Sequence, residues 1–269
     1  YFNKQAFKDA GITKAPDTWD ELLETAQALT LRDGDTLKRW GLTFGGGWHD
    51  WIFECVCRQN ELVPWTEDKV LFDRPESVDA LEFWVKLVQS GVMPAASTWQ
   101  GSANDFLAGQ TAMLYHSTGS LTNLRTSAPF DVGVAFMPKN KTYGAAQGGG
   151  PLMIAKNQSD KQKEASWTFA RWMTNTENQA KWSKATGYLA VRKSSWESED
   201  MQSYLQDVPE AKIALDQAAY AGAFLQVPGY HRVREFLKGA IDRTLAGEIK
   251  ADAALADATK NANREIERV

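Results

Sequence analysis

Long apolar runs are missing from this sequence. No stretch approaches the roughly 18 consecutive hydrophobic residues that a membrane-spanning helix needs. Histidine and cysteine are scarce, and the three histidines, His49, His116 and His231, are widely scattered. Cys55 and Cys57 flank one valine; a disulfide between them would be strained, and a metal would need further ligands. They read as two small buried hydrophobic side chains. No block of basic residues stands out. The 30 Lys and Arg and 34 Asp and Glu alternate along the chain, for a net charge of −4. That excludes a polybasic groove for nucleic acid or an anionic membrane surface, although one or two arginines can still grip an anionic ligand.

Catalytic signatures are equally absent. There is no G-x-S-x-G elbow, no H-E-x-x-H and no P-loop lysine motif. Gly45-Gly46-Gly47-Trp48 lacks the G-x-G-x-x-G spacing of a dinucleotide site. The acidic groups Asp20/Glu21 and Glu197/Glu199/Asp200 fall at helix starts or in loops, where carboxylates cap or stay solvated. His49 beside Asp50 is an acid/base pair to consider, but successive helical residues point in different directions. Neither a cofactor nor a metal is expected, and the chain does not read as an enzyme. Its opening, Tyr1-Phe2-Asn3-Lys4, resembles the middle of a domain and not a signal peptide.

What is present is an ordinary globular balance, 43% hydrophobic over 269 residues, enough for one large or two ordinary domains. Thr18 and Glu21 predict a capping box opening a helix whose apolar residues are Trp19, Leu22, Leu23, Ala26 and Leu29. Helices are also predicted from Trp48, from Asp73 to about Ser90 with Val78, Leu81, Val85 and Val88 on the apolar face, over 104–110, over 161–173, over 176–184, and from Glu210 and Gly229. Strands are predicted at 41–44, 111–116, 130–136 and 152–155. The alternation predicts an α/β class.

Eleven tryptophans stand out. Trp84, Trp167, Trp172 and Trp182 lie on helix faces and read as core. Trp48 and Trp51 follow a triple-glycine turn at the end of a strand, the edge where open α/β sheets hold ligands. An indole there covers the apolar face of a polyol and offers one N–H; spacing alone leaves platform and packing equally open.

Two stretches carry a family resemblance: Tyr1-Phe2-Asn3-Lys4-Gln5-Ala6-Phe7-Lys8-Asp9-Ala10-Gly11-Ile12 and Ala15-Pro16-Asp17-Thr18-Trp19-Asp20-Glu21-Leu22. They are similar to the "YYNKDLFKKAG…P.TWDEL" signature of the extracellular solute-binding proteins of ABC importers, in the maltose-binding class. Phe106–Met113, Phe130–Val134, Gly148-Gly149-Gly150 and Glu177–Trp182 running into Thr186–Val191 agree in the same order. Within the class, Ser117–Arg125 is similar to the "SSGSLANIR" run of the glycerol-phosphate binders, and Trp48-His49-Asp50-Trp51-Ile52 to their "WQGWI". Leu189-Ala190 departs from the usual Leu-Pro.

The resemblance implies a two-lobed periplasmic-binding-protein-like fold (class II) with the ligand in the interlobe cleft and hinge closure. Residues 1–138 would build the second lobe, 139–187 return to the first lobe, and 188–269 supply C-terminal helices of the second; most of the first lobe would lie outside this numbering. The implied function is the substrate-binding component of an importer, capturing glycerol-3-phosphate or a glycerophosphodiester. A neutral oligosaccharide is one alternative; a hydrolase for phosphorylated or glycosidic substrates is another. The implied partners are permease subunits, the setting periplasmic or otherwise extracytoplasmic, the complete protein a monomer. Trp48 would pack on the ligand's carbon skeleton, with Trp51 beside it. Ser117, Gly119 and Ser120 would present a helix start to phosphate oxygens. Gly148 and Gly149 would allow close backbone approach, Tyr188 would donate a hydroxyl, and Arg234 would supply a bidentate guanidinium, with Arg232 as the alternative arginine.

Overall fold

The computed structural model describes residues 1–269. In chain order its elements are β1 (Phe2–Asn3), α1 (Lys4–Asp9), α2 (Trp19–Leu29), β2 (Leu31–Asp33), β3 (Thr36–Phe44), α3 (His49–Gln59), α4 (Pro75–Gln89), α5 (Trp99–Leu107) and β4 (Thr111–Tyr115). Then follow α6 (Leu121–Ser127), β5 (Val132–Gly133), β6 (Ala145–Gln147), α7 (Asp160–Met173), α8 (Thr176–Thr186), α9 (Lys193–Trp196), α10 (Glu199–Asp207) and α11 (Glu210–Gln217). The chain ends with β7 (Ala221–Ala223), α12 (Tyr230–Leu245) and α13 (Ala251–Ile266). Strands and helices alternate as expected for an α/β chain. Two compact units result: a larger one of Tyr1–His116, Ser127–Gln147 and Gln217–Val269, and a smaller one of Ser117–Thr126 and Gly148–Asp216.

The larger unit is built on a five-stranded sheet in the order β2-β3-β4-β1-β5. β3 and β4 run parallel, with Leu42 opposite Met113 and Phe44 opposite Tyr115, so both strands deliver their next residues to the same edge. β1 is antiparallel to β4 and β5. Helix α2 starts where Thr18 Oγ1 accepts from Glu21 N at 3.2 Å. The Glu21 carboxylate turns back to Asp17 N at 2.7 Å, one residue beyond the N-cap of an ideal capping box. Trp19 stacks on Phe83 at 4.5 Å, and its indole N–H donates to Gln59 Oε1 at 2.7 Å.

Trp84 lies at the centre of the core, 1% exposed, 5.3 Å from the Phe44 ring and 5.6 Å from Phe53. The buried face of α4 is Ala80, Leu81, Phe83, Trp84 and Leu87. The predicted Val78, Val85 and Val88 are only partly buried at its margin, because the bulkier aromatic residues set the rotation of the helix. The predicted helix from Gly229 divides near Gly247 into the hairpin of α12 and α13. Asn263 ties α13 to Val70, accepting from its N–H at 2.8 Å and donating to its carbonyl at 3.2 Å. A parallel pair, β6 and β7, completes this unit.

The smaller unit is helical apart from irregular stretches. Residues 188–216, expected with the C-terminal helices, group with it instead. Ser195 Oγ donates to Thr176 O at 2.8 Å, Gln179 Oε1 accepts from Val191 N at 3.0 Å, and Lys184 meets Asp200 at 2.5 Å.

Three other expectations differ from what this chain shows. The strand predicted over 130–136 is regular only at Val132–Gly133, and 152–155 is not a strand. Apolar alternation needs a neighbouring strand to become a ladder; within this chain Leu152 (51% exposed), Met153 (82%) and Ile154 have none, and the resemblance places most of their lobe outside this numbering. Trp167, Trp172 and Trp182, read as core, are 57%, 57% and 48% exposed within this chain, on stretches that the resemblance places in the lobe lying mostly outside this numbering. On α7 the aromatic face of Trp167, Phe169 and Trp172 looks outward, uncovered by other elements.

Candidate ligand-binding site

In the larger unit the candidate residues gather where β3 ends. Gly45 N donates to Tyr115 O at 3.0 Å, and the chain then turns through Gly46 and Gly47 into α3. Gly46 packs directly under the Ser97 carbonyl, where a β-carbon has no room. That close approach explains why the turn is glycine-rich.

Trp48 is the N-cap residue of α3 and is 44% exposed. The Arg234 guanidinium lies over its ring at 4.1 Å from the centroid, a cation–π contact. Arg234 also clasps Asp50: Nε donates to Oδ2 at 2.6 Å and Nη2 to Oδ1 at 3.0 Å. Nη2 donates as well to the Gly47 carbonyl. The side chains are nearly shielded from solvent, Arg234 13% and Asp50 2% exposed. Burial opposes the arginine's charge, but the hydrogen bond and charge of Asp50 outweigh it and hold the pKa above the usual value. Nη1 makes no hydrogen bond within the chain. Tyr230, one turn before Arg234 on α12, is half-buried beside Phe224 at 5.7 Å.

This geometry refines several expectations. Arg234, not Arg232, joins the tryptophan turn; Arg232 points elsewhere and sits 3.5 Å from Glu265. One face of the Trp48 ring is occupied by the guanidinium, so the indole is not open on both sides. Trp51 is partly buried, donates its indole N–H to Ala146 O at 2.8 Å and lies 6.4 Å from Trp99. Its place is packing against β6. Asp50 was considered only as a partner of His49, and Tyr230 was not singled out from the sequence. Asp50 lies four residues before Glu54 on a helix whose spacing alone does not say which carboxylate meets α12.

The acid/base pair considered above is not poised for catalysis. Asp50 is held by Arg234, and His49 is 4% exposed. His49 Nδ1 accepts from Gly47 N at 3.2 Å. Nε2 lies 3.2 Å from Asp242 Oδ1, an ion-pair distance without hydrogen-bond alignment. Burial lowers the His49 pKa, with Asp242 and Asp50 opposing. Cys55 and Cys57 are buried free thiols on α3, as expected.

His116, at the end of β4, packs on Trp99 at 3.6 Å between centroids, with Nε2 at 3.3 Å from the Trp99 carbonyl. Burial lowers its pKa to about 4, against the partial support of that carbonyl. A depressed histidine pKa means the unfolded chain binds the proton first, so stability falls as pH drops. The loss begins near the unfolded pKa of about 6.5 and continues to about 4, amounting to roughly 2–3 kcal/mol. Urea denaturation of wild type and His116→Asn between pH 8 and 4 checks this. The variant's stability is expected to decline less steeply over that window; parallel curves refute it.

In the smaller unit, Ser117 Oγ accepts from Gly119 N at 3.1 Å and Ser117 O from Ser120 N at 3.0 Å. Those two backbone N–H groups, expected to face phosphate oxygens, are therefore engaged inside their own turn. Tyr188 lies against Gly119, leaving no space for a side chain there, and stacks on Trp182 at 6.3 Å and 11°. It is 39% exposed and its hydroxyl makes no hydrogen bond within the chain. Gly187 ends α8 at φ 101°, a left-handed cap. Gly148 and Gly149 are exposed in the stretch after β6. Ser117, Gly119, Ser120 and Tyr188 thus form one cluster, and the two glycines stand apart from it.

Residues 1–209 match the family model for bacterial extracellular solute-binding proteins. The sn-glycerol-3-phosphate-binding periplasmic protein UgpB of Escherichia coli K12 is 28% identical over 235 residues, covering 81% of this chain and 52% of that protein. The Salmonella typhimurium protein of the same name matches to the same extent. The chain thus spans about half the length of these relatives. Among solved structures, UgpB of Mycobacterium tuberculosis in complex with glycerophosphocholine superposes with a TM-score of 0.88 at 24% identity, over 99% of this chain and 68% of that one. The cyclic alpha-maltosyl-1,6-maltose binding protein of Arthrobacter globiformis gives 0.81 at 24% identity, over 100% and 69%. Both establish the two-lobed binding-protein fold class. With a family match over most of its length, the chain belongs to the bacterial extracellular solute-binding proteins.

Proposed function

We propose that the protein is the substrate-binding component of an ABC importer and that its ligand is glycerol-3-phosphate or a glycerophosphodiester. The observation that carries this reading is Arg234, fixed by Asp50 and Trp48 with Nη1 left unbonded. A guanidinium held in one orientation loses little entropy on binding and offers charge-assisted hydrogen bonds to phosphate oxygens. The relatives named for glycerol phosphate and the glycerophosphocholine complex support it. In this reading Trp48 and Arg234 are ligand contacts of the larger unit, with Trp51 supporting them. Ser117, Gly119, Ser120, Gly148, Gly149 and Tyr188 are the candidate contacts of the smaller unit. Residues 1–138 would belong to the second lobe, 139–187 would return to the first, and 188–269 would supply C-terminal helices of the second. Action outside the cytoplasm, in the periplasm, alongside permease subunits and as a monomer, completes the proposal.

A neutral oligosaccharide is the second reading. Asp50 cancels the arginine's charge, and Trp48, 44% exposed, keeps apolar surface that a sugar ring can cover. Calorimetric titration of the full-length protein with glycerol-3-phosphate, glycerophosphocholine, maltose and trehalose decides between them. Binding of the phosphate esters without turnover is expected. Tight binding of a neutral sugar with no response to either ester would overturn the ligand assignment. Sustained product formation abolished by His49→Ala would overturn the binding role itself.

A further inference from the structure

An arginine placed to hold a phosphate usually brings a net positive charge with it. Here the cation is compensated before any ligand arrives. Asp50, 2% exposed, takes Arg234 through two hydrogen bonds of 2.6 and 3.0 Å. The surroundings do not restore the charge. On α3, His49 is buried, and Glu54 is paired with Arg58 at 2.9 Å. On α12, Glu235 pairs with Lys238 at 3.0 Å, Asp242 lies 3.2 Å from His49, and Tyr230 is uncharged at neutral pH. With His49 neutral, these groups together carry no net positive charge.

We propose that Asp50 is a specificity-determining residue that makes the site select a singly charged phosphate, so that glycerophosphodiesters are preferred over the glycerol-3-phosphate dianion. This rests on the phosphate-ester reading above. A phosphodiester brings one negative charge, which the arginine's remaining N–H groups receive. A phosphomonoester carries a charge of about −1.5 to −2 at pH 7, its second pKa being about 6. Its second charge must be desolvated near a buried carboxylate, with every neighbouring cation on α3 and α12 already paired. Like charges in a low-dielectric setting repel strongly, and specificity arises from that repulsive element as much as from attraction. The arginine supplies affinity and geometry; the aspartate supplies the penalty for the second charge.

The test is calorimetry on the full-length protein with glycerophosphocholine, glycerophosphoglycerol and glycerol-3-phosphate between pH 7.5 and 5.5. At pH 7.5 the diesters are expected to bind at least about tenfold more tightly. If only the monoanion of glycerol-3-phosphate is accepted, its affinity rises by up to about 25-fold as pH falls to 5.5, following the second phosphate pKa of about 6. The diesters lack that ionisation, so their affinities report the protein's own titrations, such as His49, and the monoester-to-diester ratio cancels them. Asp50→Asn keeps the size and one acceptor for Arg234 but removes the charge. It is expected to raise that ratio several-fold at pH 7.5 and to flatten its pH dependence. Equal affinity for monoester and diester at pH 7.5 with a ratio independent of pH would overturn the proposal, as would an unchanged ratio in Asp50→Asn. Binding of no phosphate ester, with a neutral sugar bound instead, would defeat the underlying functional reading and this inference with it.

Discussion

Arg234→Ala is expected to weaken phosphate-ester binding by about 30-fold or more, the low end of the range for truncating one partner of a buried, hydrogen-bonded charge contact. Two losses contribute. The ligand loses a guanidinium whose orientation is set in advance by Asp50, the Gly47 carbonyl and the Trp48 ring. The protein retains Asp50, 2% exposed, as an uncompensated buried carboxylate, which costs about 3 kcal/mol of fold stability. The two effects separate in the double variant Arg234→Ala, Asp50→Asn. Removing both charges is expected to recover most of the thermal stability while leaving phosphate-ester binding weak. Wild-type affinity in either variant, measured by calorimetry, would remove Arg234 from the site. Binding of a neutral sugar, by contrast, is expected to change little.

Trp84→Ala carries the largest expected effect on folding, a loss of about 3–5 kcal/mol. The indole is 1% exposed and packs against both Phe44 and Phe53, so its removal opens a cavity that three separate elements cannot close. Trp84→Phe is expected to cost far less, about 1 kcal/mol. The indole nitrogen is buried without an acceptor, and deleting an unsatisfied donor offsets part of the lost volume. Midpoints of urea denaturation for the two variants test this; equal losses would mean that the N–H is satisfied in solution. Because Phe44 leads directly into the glycine turn that carries Trp48, Trp84→Ala is also expected to loosen the candidate ligand-binding edge.

Much of the fold was legible residue by residue. The Thr18 cap, the apolar spacing from Trp19 to Leu29 and the strand at 111–115 depend on contacts within a few positions, which local chemistry determines. The blocks shared with solute-binding proteins marked the family, and the triple-glycine turn marked the sheet edge, since only glycine fits beneath the Ser97 carbonyl. Other features depended on partners distant in sequence. Trp84 and Trp167 both sit on amphipathic helices; within this chain one is core and the other 57% exposed, because helical periodicity says that a face is apolar and not what covers it or where in the protein that cover lies. The stretch 152–155 has strand composition, but no neighbour within this chain pairs with it.

The site divides in the same way. Trp48 was readable as an indole at a sheet edge, with platform and packing both open, and Arg234 was named only through the family resemblance. Their union was decided by tertiary structure, which brings α12 across the start of α3 and places two residues 186 positions apart within 4.1 Å of stacking contact. That crossing also closes Asp50 onto Arg234, a pairing no local spacing specifies. The sequence by itself determined which side chains could bind and which helices would form, through steric and hydrogen-bonding preferences acting over a few residues. Only the packing of distant elements decided the arginine's net charge, because charge compensation depends on distance in space and on exclusion of water.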